Sequence, residues 1–139
     1  MDILKVKGVL ETSLYVSNLQ VAMDFYKTIF KMDTLIENRN FCALNVTNKQ
    51  VLLLFQKGSA SQGSSGTGGI IPPHDGFGNL HLAFSISEAD LIPWKEWLTE
   101  NKVEIESEYK WERGGTSLYF RDADNHLLEL ATPGLWTIY

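Results

Sequence analysis

The chain has 139 residues, of which 44% are hydrophobic and 21% are charged, so its composition excludes a disordered tail or a fibre. A net charge of −5 argues against a nucleic-acid-binding surface, and no apolar run reaches the roughly 18 residues of a membrane span. Cys42 is the single cysteine, which excludes an internal disulfide and multi-cysteine metal sites. We therefore expect a cytoplasmic protein of mixed helix and strand that binds neither nucleic acid nor a membrane.

The first half of the chain, residues 8–57, predicts the order strand, helix, strand, strand, strand. Residues 9–16 are rich in strand-forming side chains. Ser17, followed by Gln20, predicts a capping box at the start of a helix. The apolar face of that helix would consist of Leu19, Ala22, Met23, Tyr26, Ile29 and Phe30. The later strands are predicted near residues 33–37, 40–46 and 50–56.

A connection over residues 58–77 follows. Residues 57–69 are mostly glycine and serine and predict a flexible segment without regular structure. The two prolines at 72 and 73 predict extended chain after it. Two roles stay open for this connection: a lid that closes over a binding site, or a passive tether between the two halves.

The second half, residues 78–133, repeats the order of the first. A strand is predicted over residues 80–86, and a helix with Leu91, Trp94 and Leu98 on its apolar face. Asp90 is preferred to Ser87 as the helix cap because Pro93 then falls in the first turn, where no backbone hydrogen bond is lost. Three strands are predicted near residues 102–107, 115–121 and 126–132.

The two halves align with one another. Residues 11–17 match residues 81–87 at an offset of 81 − 11 = 70, and residues 51–54 match residues 127–130 at an offset of 129 − 53 = 76. Self-similarity of this kind predicts an internal duplication. We therefore expect one domain over residues 1–139 that is built from two modules.

Side chains alternate between the two faces of a strand, and this alternation puts three polar residues opposite the apolar face of the sheet. They are Glu11, His81 and Glu129, and Leu53 is the counterpart of Glu129 in the first half. A carboxylate in an apolar strand is costly unless it is paired or bound to a cation. Two carboxylates and an imidazole suit a divalent Mn, Fe, Co, Ni or Zn ion and leave coordination positions open.

These residues resemble the vicinal oxygen chelate superfamily, also called the glyoxalase/bleomycin resistance/dioxygenase family. The matching stretches are residues 11–19, 24–26, 81–84 and 117–130, and the resemblance extends over nearly the whole chain. It implies an α+β fold in which two tandem βαβββ modules form a curled, cup-shaped mixed sheet around a metal ion.

The metal ligands of this family commonly come from the first strand of each module and the last strand of a module. The matching positions here are Glu11, His81 and Glu129, with Glu11 in place of the family's frequent histidine. Leu53 stands where glyoxalase I would place a further ligand, which points away from that activity. Residues 130–139 lack the basic side chains that follow the final glutamate in fosfomycin-modifying members, which points away from phosphonate binding.

The resemblance implies a metal-dependent isomerase or lyase that acts on a small oxygen-chelating substrate. Glu11 or Glu129 would serve as general base, and Tyr15, Phe55 and Tyr119 would line the substrate pocket. The alternative is a metal-free protein of the bleomycin-resistance type that sequesters a drug among the same aromatic residues. For either function we expect a homodimer, with modules paired within one chain or swapped between chains.

Overall fold

The computed structural model describes residues 3–139. The chain separates into two compact units, one that ends at Phe77 and one that begins at Gly78. Each unit contains a four-stranded mixed sheet and one α-helix. This arrangement confirms the α+β class and the two tandem βαβββ modules.

The first unit begins with strand β1, Glu11–Val16, and helix α1, Leu19–Ile29. Three strands follow, β2 (Thr34–Glu37), β3 (Phe41–Val46) and β4 (Gln50–Gln56). The strand order is β1-β4-β3-β2. β1 and β2 lie at opposite edges of this sheet, and β1 is parallel to its neighbour β4. The chain therefore crosses from one edge to the other after β1, and α1 lies in that crossover.

Helix α1 buries five of the six residues of the predicted face, whereas Phe30 is its C-cap and is half-buried. Leu19, Ala22, Met23, Tyr26 and Ile29 are buried. The helix also begins differently from the prediction. The N-cap is Asn18, whose side-chain oxygen accepts a hydrogen bond from the amide of Val21 at 3.1 Å, so the capping box at Ser17 is wrong. The side-chain amide of Gln56 on β4 bonds to the backbone on either side of this cap. It donates to the Ser17 carbonyl and accepts from the Leu19 amide.

The second unit contains β7 (His81–Ser85), a single 3₁₀ turn (Glu88–Asp90), α2 (Leu91–Glu100), β8 (Ser107–Lys110), β9 (Thr116–Arg121) and β10 (Leu127–Ala131). The strand order is β7-β10-β9-β8, the same arrangement as in the first unit. Asp90 is the last residue before α2, as predicted, but its carboxylate accepts from the Ser87 hydroxyl and does not cap the helix.

The strand predicted at residues 102–107 is wrong, because the chain is still closing helix α2 there. Lys102 adopts a left-handed φ of 59°, and the amide of Val103 bonds to the carbonyl of Leu98. Such a left-handed residue is a common way to end a helix. The edge strand β8 therefore begins only at Ser107, which pairs with Tyr119 on β9.

The strand registers reproduce the alignment of the two halves. Ser13 on β1 is paired with Leu53 on β4, and Ala83 on β7 is paired with Glu129 on β10. The offsets are 83 − 13 = 70 and 129 − 53 = 76, as in the sequence. Glu129 therefore occupies the position that leucine holds in the first unit.

The glycine- and serine-rich connection contains regular structure, contrary to expectation. Strands β5 (Ser64–Gly66) and β6 (Gly69–Ile71) form an antiparallel hairpin within the first unit. Gly63 starts this hairpin with a φ of 69°, and a Cβ there would lie 2.4 Å from the carbonyl oxygen of Ile71. Backbone pairing thus supplies the order that apolar side chains do not.

Each unit has its own buried apolar residues. The first unit buries Leu14, Val16, Leu44, Leu52 and Leu54 beside the α1 face, and the second buries Leu98, Leu118, Phe120, Leu128 and Leu130. No helix among residues 3–139 is long and apolar enough to cross a membrane.

Candidate metal centre

The second unit brings two of the three predicted ligands together. His81 opens β7 and Glu129 lies in the middle of the adjacent strand β10. His81 Nε2 lies 3.1 Å from Glu129 Oε1. The Glu129 side chain is 7% exposed and that of His81 is 48% exposed, so solvent reaches the pair from the histidine side.

A backbone carbonyl orients the His81 ring. Nδ1 lies 2.8 Å from the carbonyl oxygen of Leu127. Because a carbonyl only accepts hydrogen bonds, Nδ1 must carry a proton and donate to it. In the neutral ring, Nε2 then holds the free lone pair, and this atom faces Glu129.

The second oxygen of Glu129 is held by a serine. Ser117 on β9 is buried, and its hydroxyl lies 2.5 Å from Glu129 Oε2. The indole Nε1 of Trp111 in turn lies 2.8 Å from Ser117 Oγ. Both carboxylate oxygens of Glu129 therefore have a defined neighbour, His81 for Oε1 and Ser117 for Oε2.

Tyr119, one of the expected pocket residues, lies next to this pair. It is the cross-strand partner of Glu129, and its ring centroid is 6.3 Å from that of His81. Burial and then the negative charge of Glu129 raise the pKa of the Tyr119 phenol. The phenol is therefore a neutral hydrogen-bonding group at neutral pH.

Glu11, the third predicted ligand, belongs to the first unit. It is the first residue of β1, it is exposed, and its register partner is Val51 on β4. Within either unit, the described residues contain no group of three His, Cys, Asp or Glu side chains arranged to hold a metal ion. A three-ligand set of Glu11, His81 and Glu129 would have to draw on both units and stays a prediction.

Tyr15 and Phe55 are brought together in the first unit, but a third ring lies against them. They are register partners on β1 and β4, with ring centroids 5.8 Å apart. His74 lies 4.7 Å from the Phe55 ring, and its Nδ1 is 2.7 Å from the Tyr15 hydroxyl. Their place in a substrate pocket stays a prediction, and any ligand that stacked on them would have to share the space with His74.

Sequence reasoning missed Ser117 as a neighbour of Glu129 and Trp111 as a neighbour of Ser117. Ser117 lies two residues before Tyr119 in β9, so alternation alone puts both on the same face as Glu129. Trp111 lies in the turn between β8 and β9, where no periodic signal indicates the direction of a side chain.

Comparison with known proteins agrees with this fold. The family described as the glyoxalase/bleomycin resistance protein/dioxygenase superfamily matches residues 8–130. The chain belongs to this superfamily.

Its relatives include proteins with assigned activities. The chain is 32% identical over 132 residues to the metallothiol transferase FosB of Staphylococcus haemolyticus strain JCSC1435, which covers 94% of this chain and 86% of that protein. Among solved structures it is similar to a lactoylglutathione lyase from Agrobacterium tumefaciens, with a TM-score of 0.86, 25% identity and coverage of 95% and 98% of the two chains. The fosfomycin resistance protein FosX of Listeria monocytogenes shares the fold, with a TM-score of 0.71, 22% identity and coverage of 94% and 97%.

Proposed function

We propose that this chain is a metal-dependent enzyme of the vicinal oxygen chelate type, which acts on a small substrate that offers adjacent oxygen atoms to the metal. The observation that carries the proposal is the pair formed by His81 Nε2 and Glu129 Oε1, 3.1 Å apart on neighbouring strands. The residues proposed to hold the metal are His81, Glu129 and Glu11.

The chemistry of the pair fits a divalent transition metal. Two ligand atoms about 2.1 Å from one metal ion and at right angles to it are about 3.0 Å apart, close to the spacing found here. The hydrogen bond from His81 Nδ1 to Leu127 is the usual outer contact of a metal-binding histidine, which fixes the ring and its tautomer. One imidazole and carboxylate oxygens suit Mn, Fe, Co, Ni or Zn.

The two glutamates differ in how freely they could move. Glu129 is buried, with Ser117 bonded to Oε2 and His81 beside Oε1, whereas Glu11 is exposed at the start of β1. Of the two candidate general bases, Glu11 is thus better suited to accept a proton from the substrate and move with it. The metal, when bound, would supply Lewis-acid polarisation of a substrate oxygen, and Tyr119 would donate a hydrogen bond beside it.

The names of the relatives define the reactions to test first. An isomerase or lyase is the type expected from the sequence, and one similar structure is a lactoylglutathione lyase. The FosB relatives are named as metallothiol transferases, which adds thiol transfer to the candidate reactions.

The test is metal content and metal affinity of the full chain. Protein purified without added metal should hold close to one transition-metal ion per chain, and the variants H81A and E129Q should lose it. E108Q is the matched control, because Glu108 lies on β8 in an exposed pair with Lys95 and should bind metal as the unchanged chain does. Metal-free protein that takes up none of the five metals would contradict the proposal.

The second candidate is a metal-free binding protein of the bleomycin-resistance type. What favours it is that a protonated His81 would satisfy the Glu129 carboxylate as an ion pair, without any metal ion. That function predicts drug binding by metal-free protein, with an affinity that chelators leave unchanged. Loss of binding on chelation would exclude it.

A further inference from the structure

Three side chains of the second unit form a continuous hydrogen-bonded row that ends on Glu129. Trp111 Nε1 lies 2.8 Å from Ser117 Oγ, and Ser117 Oγ lies 2.5 Å from Glu129 Oε2. Ser117 is 0% exposed and Glu129 is 5% exposed, so water does not compete for these contacts.

The direction of each hydrogen bond in this row follows from the groups involved. An indole N–H only donates, so the Ser117 oxygen must accept from Trp111. An ionised carboxylate only accepts, so the Ser117 O–H must point at Glu129 Oε2. Trp111 therefore occupies the Ser117 oxygen as an acceptor, and the serine proton is directed to Glu129 Oε2, with the Tyr119 hydroxyl within hydrogen-bonding reach of both side chains.

The backbone around Trp111 forms a tight, hydrogen-bonded turn. The Trp111 amide bonds to the carbonyl of Gly115 at 3.0 Å, and the amide of Gly114 bonds back to the carbonyl of Trp111 at 3.0 Å. Gly115 has a φ of 86°, and a Cβ there would lie 2.8 Å from the carbonyl oxygens of Thr132 and Pro133. This tight turn is thus seated against the chain that directly follows β10, the strand that carries Glu129.

We infer that Trp111 is a positioning residue of the metal centre. Through Ser117 it commits Glu129 Oε2 to a hydrogen bond, so that Oε1 is the oxygen left beside His81 Nε2 for the metal. The inference rests on the proposed function, because its consequence is metal affinity. Outer contacts of this kind commonly contribute 10- to 100-fold to metal affinity.

The experiment compares the affinities of the full chain and of W111F, S117A and the double variant for Zn²⁺ and Mn²⁺, by competition with a chromophoric chelator. W111F should bind about 10-fold more weakly, toward the lower end of the usual range because Ser117 can still donate. S117A should lose at least as much. The double variant should be no weaker than S117A, since both changes act through one contact. W136F is the matched control, because Trp136 is 66% exposed and lies outside the row.

A second readout does not involve metal. In the proton–nitrogen NMR spectrum of the metal-free chain, the indole N–H of Trp111 should exchange slowly, and S117A should shift this signal and speed its exchange. Circular dichroism checks that each variant is folded; if S117A is not, W111F and W136F still decide the affinity comparison.

The outcomes separate this inference from the proposed function. If the unchanged chain binds metal and W111F binds it equally well, Trp111 has no positioning role, and the proposed metal centre is unaffected. Unchanged chain that binds no metal overturns both. If S117A leaves the position and the exchange rate of the Trp111 indole signal unchanged, the hydrogen-bonded row itself is overturned.

Discussion

Glu129 is a residue at which the two halves of the chain differ in chemistry. Its counterpart at the equivalent register position is Leu53, so the same fold accommodates an apolar side chain there. A buried carboxylate held by His81 and Ser117 is therefore an addition to the module and is not required by its architecture. The contrast with Leu53 favours a functional role for Glu129 over a structural one.

We predict that E129L abolishes metal binding without a large loss of stability. Leucine is the residue that the first unit uses at this position, and His81 is half exposed, so water can replace its contact with Glu129. The buried Ser117 hydroxyl loses its acceptor, so the free energy of unfolding, from urea titration of metal-free protein, should fall by about 1–3 kcal/mol. A destabilisation of more than about 3 kcal/mol would indicate that Glu129 has a structural role.

Tyr15 supports a prediction on pH. Burial and then the negative charge of Asp75 raise the pKa of its phenol above the usual value. D75N removes the negative charge of Asp75 and leaves the burial. The midpoint of the Tyr15 titration should therefore fall but remain above that of free tyrosine. The measurement is the difference in ultraviolet absorbance between each protein and the same protein carrying Y15F; a midpoint that D75N leaves unchanged would contradict the assignment.

The effect of Tyr15 on stability has a definite sign. Because its pKa is higher in the folded chain than in the unfolded chain, the folded state holds the proton more tightly. Stability is unaffected well below the ordinary tyrosine value of about 10 and decreases as pH rises through the folded value. Y15F should remove this part of the alkaline loss of stability, which urea titrations at pH 9 and pH 11 would detect.

At the scale of the element, helix α2 depends on one buried side chain. Leu98 is 0% exposed, whereas Ile92 on the same helix is 65% exposed. L98A should destabilise the chain by about 2–5 kcal/mol, because it removes buried methyl groups and leaves a cavity. I92A is the matched control and should cost no more than about 0.5 kcal/mol. Equal losses in the two variants, by thermal or urea unfolding, would contradict this packing.

The sequence predicts some elements well because their signals are local. The face of α1 follows from helical spacing, and the pairing of His81 with Glu129 follows from alternation along two strands and the repeat. The start of β8 and the hairpin of β5 and β6 could not be predicted in the same way. They depend on a left-handed Lys102, a close backbone approach at Gly63 and pairing between glycine-rich segments. Trp111 was missed because its position depends on a turn that is held by backbone contacts.

At the scale of the whole molecule, we predict a homodimer. Apolar side chains remain exposed in both units, including Leu35 at 53%, Ile70 at 80%, Ile71 at 62% and Trp136 at 66%. Exposed apolar groups of this kind favour association, and a two-fold dimer is the commonest closed oligomer. Light scattering at micromolar concentration should give 2 × 15.7 = 31.4 kDa. A mass of 15.7 kDa would contradict the dimer.

Mixed dimers of two defective chains would reveal how the modules pair. A dimer of one E11Q chain and one E129Q chain contains an intact pair of glutamates in one site if the modules are swapped between chains. If the modules pair within a chain, neither site has both glutamates. Metal bound per mixed dimer, compared with each defective homodimer, distinguishes these two arrangements.

The central claim is that His81, Glu129 and Glu11 hold one metal ion. Its most direct test is a crystal structure of the metal-loaded chain, with diffraction measured at the absorption edge of the metal. We expect one anomalous peak about 2.0–2.2 Å from His81 Nε2, from Glu129 Oε1 and from a carboxylate oxygen of Glu11. A fully loaded crystal in which His81 Nε2 still bonds directly to Glu129 Oε1, with the anomalous peak elsewhere, would contradict it.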